Sequence, residues 1–135
     1  MKLLFRAILL SVLVSFLSTL MTFGLEMTSS SILDFSLMIM MSLVSAFIAL
    51  IVVVFWAVPM HFVLLKYKYT NVTWYLALAL IPAVVFIFGF KPFGEDKLED
   101  LLFQLLLVSF IACNTALTFW HVLKPDLKND KNVLL

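Results

Sequence analysis

Charge is what this sequence has least of. Of its 135 residues only 13% are Asp, Glu, Lys or Arg and 64% are hydrophobic, against about 25% charged and about 45–50% apolar in soluble domains. A water-soluble fold of this length could not hide that much apolar surface. A net charge of +1, with no dense Lys/Arg cluster, lacks the electrostatic footprint of nucleic-acid binding. The single cysteine, Cys113, excludes an internal disulfide and, inside an apolar run, reads as a small packing residue. The only glycines are Gly24, Gly89 and Gly94, so no phosphate-cradling loop is present. With no Ser/His/Asp set and no Cys/His pair at plausible depth, neither catalysis nor a cofactor is expected.

The scarce charges are also unevenly spread. None falls in 7–25, 35–65, 69–90 or 101–123. A helix rises about 1.5 Å per residue and the hydrocarbon layer is about 30 Å thick, so each block is long enough to cross a bilayer. Soluble helix bundles need a polar stripe on every outer face, and stretches such as Ile48 to Trp56 and Leu76 to Phe90 have no charge at all. The expectation is an all-α, polytopic integral membrane protein. Residues 1–135 form a single transmembrane domain, an antiparallel bundle of four helices spanning approximately 4–25, 33–65, 71–90 and 97–123. The second block is too long for a straight crossing. Pro59 lacks the N–H that would bond the carbonyl of Phe55, which predicts a kink near 55–59.

Orientation follows from the loops. Seven of the nine basic residues, Lys2, Arg6, Lys66, Lys68, Lys124, Lys128 and Lys131, fall on one side, and Glu26, Asp34, Glu95, Asp96, Glu99 and Asp100, six of the eight acids, on the other with Lys91 and Lys97. The positive-inside bias then puts both termini in the cytoplasm, in a bacterial inner membrane. Trp56, Trp74 and Trp120 with Tyr67, Tyr69 and Tyr75 sit toward the same side, as an interfacial belt would. The N-terminal apolar run also has the look of a secretory leader, but it continues to Leu25 without a small-x-small cleavage site. Ser31 with Asp34, Asp96 with Glu99, and Asn71 are the expected helix caps, the last in preference to a glycosylation acceptor.

Helices in lipid associate through close approach and hydrogen bonds, so small and hydroxylic residues mark their contact faces. Ala7, Ser11, Ser15, Ser18 and Thr22 share one stripe of span one, and Ser42, Ser45, Ala46 and Ala49 an arc of span two. On span four Gln104, Ile111, Asn114, Thr115, Thr118 and His121 occupy about a third of the circumference. Ser11, Ser15, Ser18, Thr22, Gln104, Asn114 and Thr118 are therefore candidate helix-contact or polar-path residues. His61 and His121, both close to lysines, form a candidate interfacial pair that could alternatively bind haem or a metal. Met21, Met27, Met38, Met40 and Met41 gather toward the outer side, where thioethers suit Cu(I) but more often fill apolar surface. Phe55-Trp56 and Phe119-Trp120 recur at corresponding ends of spans two and four, without further similarity between those spans.

None of the four uncharged blocks contains an Asp, Glu, Lys or Arg, the kind of group that ion-coupled transport would require inside a span. That absence separates the chain from the small four-helix multidrug exporters, which carry a membrane-embedded glutamate in their first helix. The functional expectation is a non-catalytic inner-membrane protein acting through helix contacts. It would be an accessory or sensor subunit, or an immunity or phage-defence component, with the lipid bilayer and a membrane-protein partner or its own copies as its contacts. The alternative is an oligomeric pathway for small solutes or ions.

Overall fold

A computed structural model describes residues 2–26, 32–91 and 97–133, with side chains over 2–24, 35–91 and 97–125. Helix α1 covers Lys2–Glu26. Helix α2, Ile32–Val52, runs through a π-helical segment, Val53–Ala57, into α3, Val58–Lys66. Helix α4, Val72–Val84, passes into a second π segment, Val85–Phe90, and α5 covers Leu98–Val133. Among the described residues these elements make four rods, each with a stretch long and apolar enough to cross a membrane: Lys2–Gly24, Phe35–Lys66, Val72–Phe90 and Leu98–Pro125. The charge-free blocks thus mark the helices. The expected caps Ser31 and Asp96 lie outside the described residues, as do Met27 and the side chain of Asp34.

The π segment Val53–Ala57 occupies the place where Pro59 must disturb the ladder. Its widened turn pairs the Val58 N–H with the carbonyl of Val53, five residues back. Such a register shift lets carbonyls upstream of a proline reach past the missing donor.

Burial is inverted relative to a soluble protein. Ser11, Ser15 and Ser42 are almost completely buried, whereas Phe5, Met21, Phe47 and Phe55 are each more than 60% exposed. Hydrocarbon accepts exposed Phe and Leu at no cost, whereas a hydroxyl must find a partner inside the protein. Helix α1 is central, packing on both α2 and α5, and α4 packs on α5. One apolar cluster joins Ala7, Val53, Leu64, Tyr75, Phe119 and Leu123, with Leu3 and Leu4 packed against it. The start of α1, the end of α3, the start of α4 and the far part of α5 therefore meet at one end.

The α3–α4 connection is a Schellman closure. Tyr69 N–H donates to the Leu64 carbonyl (2.9 Å) and Lys68 N–H to that of Leu65 (3.0 Å), with Lys68 left-handed at φ 61°. Glycine is the usual residue here because a Cβ is crowded in this conformation. Asn71 holds the extended N-cap backbone of α4 but makes no side-chain cap bond. Its carbonyl accepts from Trp74 N–H (3.2 Å), and its exposed amide is left to solvent. Replacing Lys68 with glycine should raise stability by about 1 kcal/mol. Thermal unfolding in detergent, with Lys66→Gly as a helical-site control that loses stability, measures this.

Candidate helix-contact site

Three buried hydroxyls of α1 face its two neighbours. Ser11 Oγ donates to the Thr115 carbonyl of α5 at 3.3 Å. Thr19 Oγ1 donates to the Ser15 carbonyl at 2.9 Å and lies 2.7 Å from Ser45 Oγ of α2. Ser15 Oγ lies 3.4 Å from the same Ser45 oxygen. One proton per hydroxyl fixes the direction of this set. A carbonyl only accepts, so Thr19 has used its proton; Ser45 must then donate to Thr19, and Ser15 to Ser45. The chain of donors ends on backbone, with no hydroxyl left unmatched.

The buried row on α1 is Ala7, Ser11, Ser15 and Thr19. The sequence pointed to Ser18 and Thr22 instead of Thr19, and the structure leaves those two half-exposed. A four-residue row is inclined to the helix axis, and helices that pack along such a ridge cross at an angle. A stripe drawn parallel to the axis therefore misses Thr19 and includes Ser18 and Thr22. Thr22 Oγ1 satisfies itself on the Ser18 carbonyl at 2.8 Å. On α2, Ser42 is buried with its hydroxyl on the Met38 carbonyl at 2.9 Å, and Ser45 is half-buried.

Spans two and three are tied by a proline that sequence reading passed over. Pro82 inside α4 has no N–H for the carbonyl of Leu78, one turn earlier. That carbonyl instead accepts the indole N–H of Trp56, from the first π segment, at 3.0 Å. The signal was in the sequence: a proline in an apolar helix leaves an acceptor four residues back that some donor must meet. Trp120 does a similar job, donating its Nε1–H to the Thr70 carbonyl at 3.0 Å, with Lys124 Nζ 5.1 Å from its ring centroid. The two Phe-Trp pairs thus share one function of their tryptophans, but Phe55 is 77% exposed and Phe119 only 1%.

The two histidines are not brought together. His61 is buried, with Nδ1 2.7 Å from the Tyr75 hydroxyl and its ring edge-on to Phe119 at 5.9 Å. His121 is exposed and borders an open groove with Leu10, Leu117 and Thr118. Two residues are about 200° apart around a helix, so His121 leaves α5 nearly opposite to Phe119 and hence to His61. Among the described residues no group of three or more His, Cys, Asp or Glu is placed to hold a metal ion. Met38 is buried while Met21, Met40 and Met41 are exposed.

Span four divides its polar residues. Thr115 is buried with its hydroxyl on the Ile111 carbonyl (2.8 Å), and Thr118 Oγ1 donates to the Asn114 carbonyl (2.9 Å). Gln104 is half-buried and has a partner. Asn114 is half-buried, and its side-chain amide makes no hydrogen bond to any described residue.

Two substitutions test the tryptophan bond and the histidine bond. Trp56→Phe should cost about 1–3 kcal/mol by orphaning the Leu78 carbonyl. In Pro82→Ala the backbone supplies its own N–H, so adding Trp56→Phe there should cost markedly less; a double-mutant cycle of unfolding free energies in detergent reads the difference. Tyr75→Phe should destabilise by about 1–3 kcal/mol, because it leaves a buried imidazole nitrogen short of one bond; the same unfolding assay checks it. In comparisons with protein-family models, with curated proteins and with solved structures, the chain matches none.

Proposed function

We propose that this chain is a small non-catalytic protein of a bacterial inner membrane that acts through helix-to-helix contacts with another membrane protein chain. In this reading it is an accessory or sensor subunit, or a membrane-embedded immunity or phage-defence component. The bundle is antiparallel, bent in span two near Pro59, with both termini in the cytoplasm. The cluster that joins the start of α1, the end of α3, the start of α4 and the far part of α5 supports this topology. It puts Lys2, Arg6, Lys66, Lys68 and Lys124 near one end, as the positive-inside bias requires. The π segment before Pro59 supports the bend.

One observation carries the reading. The buried hydroxyls of α1, Ser11, Ser15 and Thr19, are consumed inside the bundle, whereas the mid-span Asn114 amide makes no hydrogen bond to any described residue. The span Leu98–Pro125 is 28 residues long, so Asn114 lies roughly 4 Å from its middle. A carboxamide at that depth has no water to bond, and bonds between membrane helices contribute roughly 0.6–2 kcal/mol each.

The alternatives draw less support. A solute pathway along Ser11, Ser15, Asn114 and Thr118 would need free hydroxyls, yet three of these side chains already bond carbonyls or another hydroxyl. A haem or metal held by His61 and His121 would need the two imidazoles on one side of α5.

A photo-crosslinking amino acid at Leu117, in cells expressing the full chain, should give a discrete adduct in native membranes, and Asn114→Leu should reduce its yield severalfold. Absence of any adduct at Leu117 or Phe110, together with solute leak through vesicles containing the purified protein, would replace this reading with the pathway.

A further inference from the structure

The partner's identity can be narrowed from the face on which Asn114 lies; this step rests on the function proposed above. On α5, Phe103, Leu107, Phe110, Asn114, Leu117 and His121 are separated by steps of four, three, four, three and four residues. Alternating threes and fours keep one seam facing a neighbouring helix, and this row covers roughly 27 Å, nearly the hydrocarbon thickness. None of the six is buried: Phe103 is 57%, Phe110 56% and Leu117 42% exposed, and His121 is also exposed. The faces of α5 that pack on the rest of the chain carry Thr115, Phe119 and Leu123, to one side of this row.

Exposure in such a row is not enough by itself. Leu37, Met40, Val44 and Phe47 of α2 make a similar one, all exposed. Lipid tails are as good a partner for Leu and Phe as another helix is, so an apolar row has little reason to pair. The α5 row differs by one residue: in the alternation Asn114 takes the inner-layer position at which residues from two parallel helices face each other. An amide carries both donors and acceptors, so it complements a second copy of itself. Two chains inserted with the same topology must present α5 in parallel, related by a two-fold axis along the membrane normal, which places the two Asn114 side chains at the same depth.

We infer that this protein self-associates through the exposed row of α5, as a parallel pair of α5 helices whose register is set by a hydrogen bond between the Asn114 amides of two copies. His121 and its symmetry mate close the seam at the cytoplasmic boundary, and Phe103 starts it on the outer side.

The test uses the full chain in lipid vesicles, with donor- and acceptor-labelled copies followed by energy transfer as lipid dilutes the protein. Wild type should associate, Asn114→Leu should weaken association roughly ten-fold, and Asn114→Gln, which keeps the amide, should stay much nearer to wild type. In a Cys113→Ser background, single cysteines at Leu107, Phe110 or Leu117 should oxidise to disulfide-linked dimers, and cysteines at Leu102 or Phe47 should not. Monomer at every dilution, equal affinities for the leucine and glutamine variants, or cross-links at Leu102 or Phe47 instead would overturn the inference. The adduct formed at Leu117 in native membranes separates the two proposals. Twice the chain mass supports self-association; an adduct only with a chain of another mass overturns it and leaves the helix-contact reading standing. No adduct removes both.

Discussion

A backbone carbonyl that loses its helical partner in hydrocarbon has to be met by another donor of the protein, and Leu78 shows how much follows from that. Pro82 takes away the N–H, Trp56 supplies one from the neighbouring span, and the distance is that of an ordinary amide bond. The contact joins the first π segment to the middle of α4. Near it the His61–Tyr75 bond and the Phe119 ring complete the same region. A proline, usually described as a local break, here frees a carbonyl that bonds one span to another.

The same accounting governs α1. Ser11, Ser15 and Thr19 could not face lipid without losing a bond each, so the helix is turned until all three meet α2 or α5. The large side chains are left outside, where lipid receives them without penalty. Hydroxyl bonds between membrane helices are individually weak, and their value here is directional: they pick one rotation of α1 among several that would pack about as well. Among the described residues the Asn114 amide makes no such bond, and the proposed contact with a further helix rests on that group.

Most of the architecture was legible because charge is so costly in lipid. The four helices follow the four uncharged blocks, and the long second block contains an irregular π turn close to Pro59. The contact faces were legible only in part. Ser11, Ser15 and Ser42 were picked out by their spacing, but Thr19 was not, since a stripe drawn along the axis ignores the inclination of packed ridges. Trp56 and Tyr75 read as members of an interfacial belt, yet Trp56 is used on a part-buried bond and Tyr75 on a buried one. Residue type gives the preference of a ring for the boundary, and only the neighbouring helix shows that a carbonyl or an imidazole is within reach.

The sequence by itself determined that the chain is helical, where its four apolar stretches run, and that its few polar groups in the spans need partners. Those properties depend on local covalent structure and on the transfer cost of each side chain, which do not require knowledge of any neighbour. Tertiary structure alone decided which hydroxyl meets which carbonyl, that His61 is enclosed while His121 is not, and that the Asn114 amide bonds no described residue. Each of these depends on the rotation and crossing angle of whole helices, set by all contacts together, so no stretch of sequence carries it alone.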